Sequence, residues 1–155
     1  MTELFPQIVS DKEDVARIIF SPSYIYKGHV SPSAFRWNIL PSGHVEDYIS
    51  VLRGNPNVLN NQTKHFKARA AGDVRYGYAL LKVKSIRDIS DEVINSQVDV
   101  LSFPSKSYPN HAGIVVEIGK ERLNALTPVT PEIMIIQKEL ASKCSEIIKF
   151  EETEE

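Results

Sequence analysis

The stretch Val74 to Ile86 constrains the fold more than any other part of the chain. Tyr76, Tyr78 and Leu80 alternate toward one side, while Ala79, Leu81 and Val83 take the other. A strand that is apolar on both sides has to be covered on both sides, so it belongs in the interior of a sheet. Further strands are predicted at Tyr24–Val30, Phe35–Leu40, Tyr48–Leu52, Val98–Phe103, Ile114–Ile118 and Ile147–Phe150, each bounded by Gly, Pro, Ser or Asn.

Three helices are predicted between them. Ser10-Asp11-Lys12-Glu13 has the form of a capping box, and Val15, Ile18 and Ile19 follow at helical spacing, which predicts a helix over about 11–20. Residues 58–71 lose strand character and end at Gly72, a C-cap residue. Thr130-Pro131-Glu132 is a helix start, and Ile133, Ile136, Leu140 and Cys144 continue it as a buried stripe to about residue 144. Strands and helices do not alternate regularly. The pattern predicts an α+β domain over 1–150, with one mixed or mainly antiparallel sheet of about five to six strands, followed by an acidic tail over 151–155.

A chain of 155 residues buries about 69% of its unfolded surface, enough for a core without disulfides or metal. At 42% hydrophobic and 25% charged residues it is neither disordered nor fibrous. No apolar run reaches the roughly 18 residues of a membrane helix, and the opening Met1 to Pro6 lacks the form of a secretory signal. The single cysteine, Cys144, excludes an internal disulfide. These features predict a cytoplasmic protein without a membrane partner.

Net charge is only -2, but it is unevenly spread. Residues 53–87 hold eight basic side chains and one acid, while Asp88, Asp91, Glu92 and Asp99 follow, and the tail adds four glutamates. Such a block attracts phosphate polyanions, and Phe66, Tyr76 and Tyr78 within it offer rings for stacking on bases. The alternative is a set of solvated charges neutralised by those acids in the fold. Both readings stand at this point.

No glycine-rich phosphate loop, dinucleotide fingerprint, paired-histidine zinc helix or CxxC occurs in the sequence. His44 beside Glu46 and Asp47 is the only group that could seed a zinc site through space, and no metal or other cofactor is expected. His111 follows the polar loop Ser107-Tyr108-Pro109-Asn110 and opens the strand toward Val115, a placement suited to acid–base work. His65 is a second proton carrier, and Arg53, at a strand-to-turn boundary, could grip a phosphate bidentately. Lys64, Lys67, Arg69 and Arg75 complete the expected phosphate-binding set. Ser50 lies on the side of its strand opposite Arg53, with no base near it in sequence.

Two functions follow. One is a phosphate-directed domain that binds RNA, single-stranded nucleic acid or a nucleotide, with metal-free phosphodiester chemistry at His111 in its enzymatic form. The other is a non-catalytic module that meets a protein partner through its basic block or acidic tail.

Overall fold

Antiparallel pairing organises the chain. The computed structural model describes residues 5–54, 59–64, 66 and 71–150. Its main sheet runs in the order β6 (Ser96–Ser102), β7 (His111–Ile118), β4 (Ile49–Arg53), β1 (Asp14–Ser21), β5 (Val74–Lys82) and β9 (Ile148–Lys149), with β8 (Glu121–Arg122) also paired to β7. A small second sheet joins β2 (Ile25–Tyr26) to β3 (His29–Val30). The architecture is α+β, and no helix among the described residues is long and apolar enough to cross a membrane.

The helix predicted over 11–20 is a strand. Ser10 and Glu13 do bond to each other, the Ser10 N–H donating to Glu13 Oε2 at 2.9 Å, but they close a turn that feeds β1. The run Val15-Ala16-Arg17-Ile18-Ile19 is buried at every position, as in a strand covered on both faces. Spacing of three and four among so many apolar residues satisfies a helix template equally well, and burial on both faces decided the outcome. The helix predicted over 58–71 is reduced, within its described residues, to the single turn α1 (Leu59–Gln62). The third is observed as α3 (Pro131–Ser142), with Thr130 Oγ1 accepting from the Ile133 N–H.

Two strands are also shorter than their sequences suggest. The Val74–Ile86 run leaves the sheet at Lys82 and turns into α2 (Val83–Asp88), which buries Val83 and Ile86. The Tyr24–Val30 run folds back on itself because Lys27 and Gly28 both take positive φ, 51° and 81°, the geometry of a tight hairpin turn. Phe35–Leu40 makes only an isolated bridge, Ile39 to Val45.

The sheet has two covered faces. Val15, Ile19, Ile49, Val51, Leu81 and Ile114 pack against Ile86 of α2 and Ile133, Ile136 and Leu140 of α3. Ala16, Ile18 and Leu52 look the other way, onto Leu59 and Phe150, with Phe66 and Tyr108 beside them. At the β6 border, Ser90 Oγ takes the Val98 N–H at 2.8 Å and donates to the Val98 carbonyl, and Arg87 donates to the Val100 carbonyl.

The feature that positions the site is a split in this sheet. β1 and β5 pair along their whole length, whereas β1 and β4 share only Val15 with Arg53 and Ala16 with Leu52. Beyond Ala16 the two strands part.

Candidate functional site

A cavity of about 720 Å³ occupies the fork between β1 and β4. Because the sheet is open there, the cavity touches residues of both faces: Ala16, Ile18 and Ser50 from one, Arg17 and Val51 from the other. Phe20, Tyr24, Tyr48, Phe66, Phe103 and Tyr108 supply aromatic walls. The polar side chains at the cavity are Arg17, Asn38, Glu46, Ser50, Ser105 and His111, besides the tyrosines. Apolar and aromatic walls with polar groups set among them are the usual make-up of a small-molecule site.

Ser50 and His111 meet in this cleft. Leu52 pairs directly with His111 across β4 and β7, so Ser50, two residues earlier on the same face, is its diagonal neighbour. The Ser50 hydroxyl lies 2.8 Å from His111 Nε2. The other ring nitrogen, Nδ1, lies 2.9 Å from the main-chain oxygen of Phe103, which can only accept. Nδ1 therefore carries a hydrogen, and in the neutral ring Nε2 would present its lone pair to the serine proton. A hydroxyl so placed can give its proton to that nitrogen.

The imidazole is held from several sides. The main-chain N–H of His111 donates to the Tyr108 carbonyl, and the His111 carbonyl accepts from the Phe103 N–H. Asn110, just before it, donates to the Arg53 carbonyl at 2.7 Å and pairs with the Gln62 amide. The Tyr48 ring stands edge-on to the imidazole at 5.5 Å and leans on Phe103 at 5.0 Å. Gly113 makes this stack possible, since a Cβ there would lie 2.7 Å from the Tyr48 Cβ and 2.9 Å from the Phe103 ring. Burial, with the carboxylates of Glu46 and Asp47, pushes the Tyr48 phenol up, so it stays a neutral donor.

Arg17 is the second component. It comes from the middle of β1, is 6% exposed, and donates from Nε to the Ala34 carbonyl at 2.9 Å and from Nη1 to the Ser50 carbonyl at 2.7 Å. No carboxylate among the described residues forms an ion pair with it. Burial pulls its pKa down, while Tyr24 and Glu46 favour its charge from nearby. A guanidinium does not lose its proton under these conditions, so a buried positive charge borders the cavity.

The residues expected from the sequence are dispersed. His111 is at the cleft. Arg53 is on the other face of β4, 1% exposed, and grips Glu13 with Nε and Nη2 at 2.8 Å each, while Nη1 reaches the Pro6 carbonyl and Ser102. Arg53 in turn holds the Glu13 carboxyl below its ordinary pKa. Arg75 donates to Thr63 Oγ1 and lies 3.6 Å over the Phe150 ring, and Lys64 is exposed beyond the single-turn helix. His65, Lys67 and Arg69 lie outside the described residues.

Of the other basic residues in the block, Arg87 bonds Asp11 and Asp99, and Lys84 bonds Asp88, so the acids of the following segment neutralise part of it. His44 gathers no metal set, since no three of His, Cys, Asp and Glu converge among the described residues.

Arg17 was not singled out by the sequence, although a signal was there. It is the only charge in the run Val15 to Phe20, and on a strand buried on both faces such a charge needs a reason. Read as a helix, the same run puts Arg17 on the solvent side. Ser50 has no partner near it in sequence because the imidazole it meets lies 61 residues away. The chain matches no family model, and neither a curated protein nor a solved structure is similar to it.

Proposed function

We propose that this is a phosphate-directed domain that binds a nucleotide in the fork between β1 and β4, with His111 as the acid–base group of a metal-free reaction at phosphorus. The observation that carries the reading is the buried Arg17, held in no direct ion pair among the described residues although Glu46 is near, at the wall of a cavity that also holds the Ser50–His111 pair. A charge taken out of water without a direct ion pair costs on the order of several kcal/mol; Glu46 offsets part of that from nearby, and a ligand anion in contact would offset more. The aromatic walls add a stacking surface for a base, worth about 1–3 kcal/mol.

A single nucleotide fits this site better than a strand of nucleic acid. Arg17 is the one arginine or lysine among the described residues lining the cleft, whereas a strand needs a track of them. Among the described residues, Arg53, Lys84 and Arg87 of the basic block are engaged by carboxylates away from the cleft. The site is also in the range of about 300–1,000 Å³ typical of small ligands.

Calorimetric titration with AMP, GMP and a dinucleotide tests the reading. Saturable one-to-one binding of at least one of them, at least tenfold weaker in Arg17→Lys because the bidentate fork is lost, is the expected result. No heat from any of them at millimolar concentration, with the protein folded, rejects it. The second reading, an interaction module, draws on a different observation: Leu126, Val129, Met134 and Ile135 are exposed around the start of α3. Substituting these four with serine should then abolish partner capture without touching the cleft.

A further inference from the structure

We infer that Ser50 is a nucleophile: its Oγ attacks the phosphorus of the bound nucleotide and is carried through the reaction as a phosphoseryl ester. The inference rests on the nucleotide reading for its electrophile, and on the geometry of the pair for everything else.

Ser50 is placed by a strand, not a loop. Its main chain is fixed by pairing with Gly113, and its hydroxyl by the bond to His111 Nε2 at 2.8 Å. The Phe103 carbonyl on Nδ1 fixes the tautomer in which Nε2 is the acceptor, so the proton the serine must lose already points at its destination. Both side chains border the cavity, leaving room for a ligand within reach of Oγ.

The positive charge is in the right place for such an attack. Arg17 donates to the carbonyl of Ser50 itself, which puts the guanidinium beside the residue that forms the new bond. With Nε and Nη1 given to the Ala34 and Ser50 carbonyls, Nη2 is the nitrogen of this guanidinium that would meet negative charge growing on the phosphoryl oxygens.

The steps balance with water as the only co-reactant. Ser50 Oγ forms a bond to phosphorus and gives its proton to His111 Nε2. The bond from phosphorus to the leaving oxygen breaks, and that oxygen takes the proton from His111. Water then attacks the phosphoseryl ester, giving its proton to Nε2, and the serine oxygen leaves with that proton. The serine and the neutral imidazole are restored.

The test uses the full chain and a biotinylated fluorophosphonate, which forms the same serine–phosphorus bond with loss of fluoride. Peptide mass spectrometry should find one adduct, on Ser50. Its rate of formation should fall about 100-fold or more in His111→Ala, and excess AMP should protect. His111→Gln, whose amide still offers a donor toward Phe103, should lose the rate as well, and it serves if the alanine variant does not fold. Nucleotide binding is followed separately by calorimetry. AMP binding with no adduct at Ser50, or an adduct that forms equally fast without His111, overturns the nucleophile and leaves the nucleotide reading intact. A His111-dependent adduct with no nucleotide binding upholds the nucleophile and overturns the nucleotide.

Discussion

Arg17 and Ser50 are joined across the fork of the sheet: the guanidinium donates from Nη1 to the Ser50 carbonyl at 2.7 Å, at a point where β1 and β4 no longer pair. A side chain thus bridges the gap where the ladder has stopped, and it links the buried charge to the strand that carries the hydroxyl.

This bridge predicts a separation of stability from binding. Arg17→Met leaves the Ala34 and Ser50 carbonyls without their donors, costing about 1–3 kcal/mol, but also removes a buried charge that has no direct ion pair among the described residues. The two effects oppose each other, so urea unfolding should show a net loss of no more than about 2 kcal/mol while nucleotide binding disappears. A loss above about 4 kcal/mol would identify Arg17 as a structural strut instead.

Arg53 should behave in the opposite way. It is fully buried and its charge is met by Glu13, so Glu13→Gln leaves a cation stranded in the core and should cost about 3 kcal/mol at neutral pH. Nucleotide affinity in the folded fraction should not change, because Arg53 faces away from the cleft.

The same pair gives a pH dependence. The folded state holds the Glu13 carboxyl below its ordinary value of 4.5, chiefly through the Arg53 hydrogen bond. Its contribution is therefore fully present above that value and is lost as pH falls through the depressed folded one. Unfolding midpoints measured from pH 6 down to about pH 2 should fall more steeply in the parent than in Glu13→Gln, which has no proton to gain there. Parallel curves would contradict this.

Gly113 tests the cage around the imidazole. Gly113→Ala drives a methyl against Tyr48 and Phe103, the two rings that flank His111, at a cost of about 1–3 kcal/mol. Fluorophosphonate labelling of Ser50 should slow by at least tenfold even at temperatures where the variant is folded. Gly43→Ala, where a Cβ meets nothing within 4 Å but φ is +92°, reports the strain of alanine at a positive φ, which Gly113 does not carry.

Cys144 should be inert. Burial pushes its thiol up to about 12, with its hydrogen directed to the Leu140 carbonyl. Alkylation by iodoacetamide at pH 8 should proceed only in urea, and rapid labelling of the folded protein would show the α3 C-terminus to be open.

The fold was legible in the sequence where periodicity had one interpretation. α3 carries a pattern that fits a single period, and so does the Val74–Lys82 part of the expected Val74–Ile86 strand, whose remainder is the helix α2. β1 was misread because an unbroken apolar run satisfies strand and helix templates alike, and a real Ser10–Glu13 contact at its start favoured the wrong one. That error also hid Arg17, whose meaning depends on lying inside a sheet. Ser50 and His111 were both visible as residues, but their contact exists only through the β4–β7 register, which no local pattern encodes. The charge block misled for a related reason: counting along the chain cannot reveal that Arg53 is turned inward to Glu13 or that Arg87 spans two aspartates.

The border of the sheet at β6 has a bearing on how copies of this protein meet. With Ser90 and Arg87 occupying main-chain groups of Val98 and Val100, an incoming strand finds those positions taken. Crowded molecules are thereby denied a template for fibre growth along that flank, and the protein can be concentrated without its longest rim acting as a seed.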